Sequence, residues 1–495
     1  MVDIPLEKFD VAIIGAGTIG LFCAWKLSSS GRKVIVLERG GVKNEYYSND
    51  FNFSRSVYSG ATRGRMTGLG GTSAIWGGAL IPSQQEDFKR FYENSMVEDL
   101  LSGISDVESF FALPEASYER TDDNLFPISK SCKIRSAKWA GVKNKNSFFR
   151  IKKLLKSTRM PEIILEARVL EWIFESGRIV AARYLSQNGR EYQVTFDQLL
   201  VTCGALGNVQ IIADIFRQAG IDTPKELGKH LSDHLSVPIL ELRIPRNLES
   251  LFSRQFGQRF VSGTSRRDFR IESSWKDSYD QPAFFLHFSQ VGTGAFRIFR
   301  KLLESLSGGP RITIQESLRF LATFPTLLRM LYYVLRYRTL QISSTREITV
   351  YCVIEKLISE KCRIDGFATQ QDSNSPLTIH WEILEEDISA VVNVQDSIYA
   401  DLRNIFDEFR ISIKKLEIMK PTQGNYEGIY HPTGVTRSDS KDGKGVVSQF
   451  GKLHSFTNVY AVSTGNLPRS GGTNPTMNAL LIANLACLDM LRETT

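Results

Sequence analysis

One stretch near the N-terminus, residues 9–40, constrains the fold of this chain more than any other. It reads FDVAIIGAGTIGLFCAWKLSSSGRKVIVLERG. An apolar run over 11–14 predicts a buried strand, and a second apolar run over 33–37 predicts another. Between them lie a glycine-rich turn and an apolar helix that ends near Leu27. This order of strand, helix and strand is typical of an α/β fold with a parallel sheet.

The turn itself carries the pattern of a dinucleotide-binding site. Gly15, Gly17 and Gly20 form G-x-G-x-x-G between strand and helix, where glycines let the backbone approach a pyrophosphate at the helix N-terminus. Glu38 follows the second strand, where a carboxylate can bind ribose hydroxyls. The stretch therefore predicts a Rossmann-type domain that binds FAD or NAD.

Length, charge and cysteine content narrow the class of protein. A chain of 495 residues predicts two to three structural units, and a net charge of +7 without a basic run argues against nucleic acid as a partner. The cysteines show no C-x-x-C pair, so we predict reduced thiols in a cytoplasmic protein and no metal site. The N-terminus lacks the basic region of a secretion signal. The six cysteines are Cys23, Cys132, Cys203, Cys352, Cys362 and Cys487.

A second glycine cluster covers residues 63–78, RGRMTGLGGTSAIWGG, and contains six glycines. Such a stretch cannot pack a core, so its use is to let backbone pass close to a flat, bulky group. An isoalloxazine ring fits that description.

With this cluster the chain resembles the glucose-methanol-choline (GMC) oxidoreductases, and within them the bacterial members that act on sugars and polyols. The cluster is similar to the family's G-G-[ST]-S-x segment, which lies along FAD. Further segments match in the family's order. They are 165–185, 199–212, LGKHLSDHLSVP at 227–238, and 459–491.

The resemblance implies FAD as cofactor. It implies a Rossmann-type FAD-binding domain and a substrate domain built on a mixed or antiparallel sheet covered by helices. The residues expected to bind the cofactor are Gly15, Gly17, Gly20, Glu38, Gly70, Gly71, Thr72, Ser73, Val169, Gly204, Gly465, Asn466, Pro475 and Thr476. Some relatives link flavin covalently to a histidine near the position of Ile75, so an isoleucine there predicts non-covalent FAD.

The domains are expected to be discontinuous. We assign 1–100, 155–237 and 425–495 to the FAD-binding domain. The remainder, 101–154 and 238–424, forms the substrate domain and lid. Strand-like pieces over 284–288, 348–354 and 377–381 predict the substrate-domain sheet, and a helix over 385–409 closes it.

The candidate active site comes from the resemblance rather than from local pattern. YHPTGVTRS at 430–438 is by itself a proline-glycine turn. In the family, a histidine there and a histidine or asparagine before the last helix face the flavin N5, which here gives His431 and Asn474. Neutral imidazole can accept a hydroxyl proton while hydride goes to N5. Of the other histidines, His234 is predicted to be a structural contact in the FAD-binding domain.

The resemblance implies oxidation of a CH–OH group of a sugar, cyclitol or related polyol, with His431 as base. It leaves the electron acceptor open between dioxygen, a quinone and another acceptor. Two alternatives stay open: a lyase of the same fold that uses His431 without redox chemistry, and a flavin-binding protein without catalysis.

Residues 291–340 are unusually basic, with eight Arg or Lys against two acids. Within them, 326–338 place leucines on one side of a helix and Arg329 and Arg336 on another. The pattern favours a lid or subunit-contact helix with a core-facing apolar side, and a helix on a membrane surface is the less favoured alternative.

Overall fold

The computed structural model describes most of the chain and shows two large sheets with separate roles. It describes residues 8–46, 51–119, 132–155, 160–273, 282–288, 325, 328–340, 346–367, 376–418, 427–439 and 445–493. Of the basic stretch 291–340, only residue 325 and residues 328–340 are among the described residues.

The first sheet has seven strands and contains the predicted strand–turn–helix unit. Its central strand, Lys8–Ile14, pairs in parallel with its neighbours on both sides. Along the sheet the strands are Glu162–Ile164, Val34–Leu37, Lys8–Ile14, Glu191–Val201, Arg178–Leu185 and Arg168–Glu175, with Val459–Ala461 also paired to Glu191–Val201. The α/β prediction is confirmed.

Alternation along the central strand fills two separate cores. Val11 and Ile13 face a core formed with the helices Thr18–Ser29 and Pro475–Arg492. Ala12 and Ile14 face the opposite core, which extends to the second sheet. A strand buried on both faces reads as a continuous apolar run, as VAII does.

The second sheet has nine strands, and every pairing in it is antiparallel. In order its strands are Ser412–Lys415, His234–Arg243, Glu347–Glu355, Phe284–Phe288, Ser265–Ser273, Cys132–Trp139 and Ala79–Leu80, with Arg259–Ser262 and Glu427–Gly428 at its margins. The predicted antiparallel sheet is confirmed.

One predicted strand of that sheet is misplaced. Residues 377–381 were expected in the large sheet, but Leu377–His380 belongs to a separate three-stranded sheet. It pairs in parallel with Phe51–Phe53 and antiparallel with Arg363–Asp365. Apolar alternation predicts a strand but does not specify its partner, which here comes from over three hundred residues away.

The helices cover both sheets. In the described residues they are Thr18–Ser29, Ser59–Thr62, Gln85–Phe91, Asn94–Ser102, Ile104–Phe111, Ser147–Leu154, Gly204–Ala219, Glu249–Phe256, 328–337, Glu385–Glu408 and Pro475–Arg492, with short 3-10 turns at Gly71–Ala74, Arg246–Leu248 and Thr464–Asn466. Within those parts of the chain, none combines the length and apolar composition needed to cross a bilayer.

The segment 101–154 contributes to both sides of the molecule. Helices Ile104–Phe111 and Ser147–Leu154 pack in the core of the first sheet, while strand Cys132–Trp139 belongs to the second sheet. The domain boundaries stay a prediction, because the core of the second sheet is continuous with one core of the first.

A buried ion pair fixes the helix Glu385–Glu408 at the end of strand Glu347–Glu355. Lys356 and Asp387 are 0% and 1% exposed in their side chains, and Lys356 Nζ lies 3.1 Å from Asp387 Oδ2. Asp387 also accepts hydrogen bonds from the backbone N–H groups of Leu357 and Leu384, both at 2.9 Å. The pair therefore joins strand, connection and helix start.

We expect Lys356→Met to lower the free energy of unfolding by about 3–5 kcal/mol, because it leaves the Asp387 charge buried without its partner. Lys356→Met combined with Asp387→Asn should recover part of that loss, since no unpaired charge remains. The matched control, Lys361→Met at an exposed position, should stay within about 0.5 kcal/mol in the same urea titrations. Equal effects of Lys356→Met and Lys361→Met would contradict the role of the pair.

Candidate functional site

A cleft runs along the loops that follow the strands of the first sheet, and it contains most of the predicted cofactor residues. The predicted residues that line it are Gly15, Gly17, Glu38, Gly71, Thr72, Val169, Gly204, His431, Pro475 and Thr476. Segments separated by up to 460 residues thus meet in one cleft.

The three glycines of the first turn have three different roles. Gly15 has φ +103°, a conformation that residues with a Cβ rarely adopt. Gly17 faces open space in the cleft, whereas a Cβ on Gly20 would lie 2.0 Å from the carbonyl oxygen of Gly15. The turn is therefore tight at Gly15, accessible at Gly17 and closely packed at Gly20, as a pyrophosphate site requires.

Glu38 organises the loops around that turn. Its Oε2 accepts a hydrogen bond from the backbone N–H of Ala16 at 2.7 Å. Its Oε1 accepts from the N–H groups of Gly40 at 2.7 Å and Gly68 at 3.0 Å. A carboxylate oxygen can accept about two hydrogen bonds, so Oε2 keeps capacity for a ribose hydroxyl in the cleft.

Several predicted residues support the cleft from behind rather than line it. Gly70 donates its N–H to the Ala16 carbonyl at 2.9 Å, and buried Ser73 donates to the Gly70 carbonyl at 2.5 Å. Asn466 is buried and uses its amide within its own turn, on Ser463 N–H and the Ala461 carbonyl. The predicted residues outside the lining are Gly20, Gly70, Ser73, Gly465, Asn466 and Asn474.

Two helix N-termini open onto the cleft without a side-chain cap. The helix Thr18–Ser29 begins after Gly17, and the C-terminal helix Pro475–Arg492 begins after Asn474. Neither cap residue makes a side-chain hydrogen bond to its helix, so the first N–H groups are available to a ligand. Both ends favour negative charge, which fits a pyrophosphate at one and a flavin that becomes negative on reduction at the other. The cleft therefore fits FAD.

His431 lies at the cleft and belongs to a chain of hydrogen bonds with one direction. His234 Nε2 is 2.6 Å from the Gly471 carbonyl, which can only accept, so the proton of neutral His234 is on Nε2. His234 Nδ1 is then the acceptor for His431 Nδ1–H at 3.2 Å. This leaves the lone pair of His431 on Nε2, which Asn474 Nδ2 approaches at 3.3 Å.

Burial keeps both imidazoles neutral. Burial lowers the pKa of His431 well below its ordinary value of 6.5, and the nearby His234 and Arg270 lower it further. Burial also lowers the pKa of His234 to about 4, against a smaller opposing effect of the Gly471 carbonyl. At neutral pH, His431 is thus an unprotonated acceptor.

Asp233 holds the two histidines in register. It is fully buried, and its Oδ1 accepts from the backbone N–H of His234 at 2.6 Å and of His431 at 2.8 Å. Its Oδ2 accepts from the Tyr58 hydroxyl at 2.5 Å. Ligand atoms of Asp233, His234 and His431 lie within 4.8 Å of one another, a spacing that can also hold a metal ion, but here they bond to one another and to backbone.

The structure changes the interpretation of His234. The sequence predicted a structural contact in the FAD-binding domain, whereas His234 begins the strand His234–Arg243 of the antiparallel sheet and contacts His431. The L-x-D-H element therefore supplies Asp233 and His234 together. The L-x-D-H motif was visible in the sequence, but a short motif does not predict which residues the histidine side chain contacts.

Arg270 is a site residue that the sequence analysis missed. Its side chain is 7% exposed, and Nη1 donates to Asn474 Oδ1. The guanidinium carbon lies 4.8 Å from the Phe285 ring centroid, and Asp268 is 3.7 Å from Nε. The only sequence signal is an arginine between two apolar residues of a strand, Phe269 and Ile271, which indicates one face of a sheet but no partner.

Asn474 has the position of a helix cap without its usual interaction. Its side-chain oxygen accepts from Arg270, and its nitrogen donates to His431. The prediction that Asn474 and His431 meet agrees with the geometry, although 43 residues separate them. The glycine of the His431 turn is also required, because Gly434 has φ +87° and a Cβ there would lie 2.1 Å from the His230 carbonyl oxygen.

Two segments of the chain match models of known protein families. Residues 10–84 match the family model described as FAD dependent oxidoreductase, and residues 368–483 match the model described as GMC oxidoreductase. A search of curated protein sequences gave no significant match.

Solved structures share the fold over nearly the whole chain. Pyridoxine 4-oxidase from Mesorbium loti has a TM-score of 0.59 and 15% identity, with 97% of this chain and 99% of that one covered. An Aspergillus oryzae RIB40 formate oxidase carrying the mutation R554A has a TM-score of 0.55 and 13% identity, with 99% of both chains covered. A further formate oxidase structure has a TM-score of 0.54 and 12% identity, with 99% of this chain and 98% of that one covered. These identities establish the fold alone. The two family matches support a fold of the GMC oxidoreductase type with FAD as the cofactor.

Proposed function

We propose that this protein oxidises the CH–OH group of a small alcohol, with His431 as the base and Asn474 as the hydrogen-bond donor to the substrate oxygen. One observation carries the proposal: His431 Nε2 and Asn474 Nδ2 lie 3.3 Å apart beside the cleft. A hydroxyl oxygen can lie about 2.8 Å from both nitrogens, donating its proton to the first and accepting from the second. A single hydroxyl thus satisfies both groups.

The cofactor would be held by the residues that line the cleft. The turn at Gly17 and the first helix would bind the pyrophosphate, Glu38 the ribose, and the start of the C-terminal helix the flavin. Bound FAD would supply the hydride acceptor at N5. The N-terminus of the C-terminal helix stabilises negative charge placed against it by about 0.3 to 2 kcal/mol.

The lowered pKa of His431 has two opposite effects on its role as a base. The lowered pKa of His431 means that Nε2 is unprotonated at neutral pH. The same effect makes the imidazolium less stable once Nε2 takes up a proton. The Asp233 carboxylate accepts from the backbone N–H of His431 and so holds its position. Proton uptake at Nε2 leaves the Nδ1–H bond to His234 in place.

Arg270 would act through Asn474 as a positioning residue. An amide can turn either its oxygen or its nitrogen toward a neighbour, and the two are distinguished only by their partners. Because Arg270 only donates, it fixes Asn474 Oδ1 on its own side and directs Nδ2 toward His431.

The substrate class is proposed on the likeness of GLGGTSAIWGG to sugar- and polyol-oxidising relatives, with a sugar, cyclitol or related polyol as the compound oxidised. The acceptor can be dioxygen, a quinone or another oxidant. A cytoplasmic location is proposed from six free cysteines, four of them buried.

His431→Ala should slow flavin reduction by about 10²- to 10⁴-fold, because the hydroxyl proton loses its acceptor. The measurement is anaerobic mixing of the FAD-loaded protein with a panel of polyols, pyridoxine and formate, followed by bleaching of the visible flavin band. His454→Ala, at an exposed histidine paired with Asp439, is the matched control and should reduce at the wild-type rate. Wild-type bleaching in His431→Ala would remove it as the base, and product formation without any bleaching would identify a lyase.

Two variants separate the effect of the Arg270 charge on the pKa of His431 from the effect of its hydrogen bond to Asn474. Arg270→Gln removes a positive charge that lowers the pKa of His431, so the acidic limb of kcat/KM should move to higher pH and kcat should fall by about 10²-fold. Arg270→Lys keeps the charge, so its acidic limb should stay near that of the wild type. A purely structural Arg270 would lower activity equally at all pH values in both variants.

Non-covalent binding of FAD follows from Ile75, which has no group that can bond to flavin. Acid precipitation should therefore release the yellow colour into the supernatant. Colour that remains in the protein pellet would show a covalent link and refute this part of the proposal.

A further inference from the structure

The helix at 328–337 carries an apolar face that points away from the protein. Its residues Leu328, Leu331, Tyr332 and Leu335 are 52%, 52%, 55% and 75% exposed, and we call them the leucine face. They follow an i, i+3, i+4, i+7 spacing, which places them on one side of a helix. The sequence favoured a lid or subunit-contact helix with a core-facing apolar side, and in the described residues of a single chain this face is exposed.

The opposite side of the helix is anchored. Tyr333 is buried, and Arg329 Nη2 lies 2.6 Å from the carboxylate of Glu249 on the neighbouring helix Glu249–Phe256. After the helix, the Arg338 carbonyl accepts from Phe260 N–H at 2.7 Å, and Leu340 N–H donates to Gln258 at 2.9 Å. These bonds hold the leucine face outward, so its exposure is built into the fold.

The charges around the leucine face are all positive on the helix itself. Residues 328–338 contain three arginines and no acid. Arg336 lies 5.4 Å from the Tyr337 ring and Arg254 lies 5.6 Å from it. Arg336 and Arg338 are exposed, and neither has an acidic partner within the residues that the structure describes, so the helix carries unpaired positive charge beside the face.

An apolar face that includes an exposed tyrosine, Tyr332, and lies beside arginines matches the interface of a bilayer with anionic lipids. Leucine side chains gain by leaving water, tyrosine rings favour the headgroup level, and each arginine near the surface adds roughly 1 kcal/mol of attraction. A second copy of the chain fits less well, because an isologous contact would bring the same arginines together without acids to offset them.

We propose that the leucine face docks reversibly on anionic membrane surfaces, so that the protein binds peripherally through the helix at 328–337. The inference is independent of the proposed oxidation, since none of its residues touches the cleft. A single short helix predicts weak, salt-sensitive binding rather than permanent anchoring.

The test is vesicle flotation of the full FAD-loaded chain. Wild-type protein should float with phosphatidylcholine–phosphatidylserine vesicles at low salt, and much less with phosphatidylcholine alone. Leu331→Gln with Leu335→Gln should lower the partition coefficient by about tenfold or more, because less apolar surface leaves water. Arg336→Gln with Arg338→Gln should lower the preference for anionic vesicles and weaken the salt dependence.

The control is Val142→Gln, at an exposed apolar residue outside the helix, which should float like the wild type. Flavin absorbance and melting temperature show that each variant is folded. The proposal is overturned if the wild type ignores anionic vesicles, or if the leucine double variant binds them unchanged. It is also overturned if light scattering shows a wild-type dimer that the leucine double variant dissociates, because a second copy would then cover the face.

Discussion

The candidate site depends on a buried carboxylate, Asp233, more than on any other single group. Its two oxygens hold the backbone of His234, the backbone of His431 and the hydroxyl of Tyr58, which are distant in sequence. Burial raises the pKa of Asp233 to about 6, although these hydrogen bonds lower it. Because the folded-state pKa is above the ordinary 3.8, the contribution of Asp233 to stability is largest at low pH and falls as the pH rises through about 6. At neutral pH the buried, ionised Asp233 therefore lowers the stability of the folded protein, while its hydrogen bond to the backbone of His431 holds that residue in place.

How much the sequence could predict depends on the range of the interactions involved. The turn at Gly15, Gly17 and Gly20 is set by sterics within a few residues, so its pattern predicted the observed geometry. Glu38 was predicted on its position after a strand, but its bonds to Ala16 and Gly68 depend on loops 22 and 30 residues away in the sequence. The strand at 377–380 depends on a tertiary partner, and there the pattern failed. The same kind of pattern predicted an amphipathic helix at 328–337 without specifying what its apolar side contacts.

Arg270 shows the same limit at the site itself. A strand reading RRDFRIES predicts alternation, and nothing in those letters specifies that one guanidinium reaches an amide 204 residues later. The consequence is chemical as well as geometric. A cap residue such as Asn474 ordinarily directs its side chain to its own helix, but Arg270 takes the oxygen and leaves the nitrogen for His431.

The direction of the hydrogen-bond chain determines what substrate binding would cost. The chain runs from Arg270, which only donates, to the Gly471 carbonyl, which only accepts. Between them Asn474, His431 and His234 each have one donor and one acceptor role that their partners fix. A hydroxyl that enters beside His431 breaks only the 3.3 Å contact between Nδ2 and Nε2, the longest of the four. It replaces that contact with two bonds and leaves the other three unchanged. A ketone or ether can accept from Asn474 but has no proton for His431. Under the proposed function, the site with neutral His431 would therefore bind an alcohol better than its oxidised product, which leaves Nε2 unpaired.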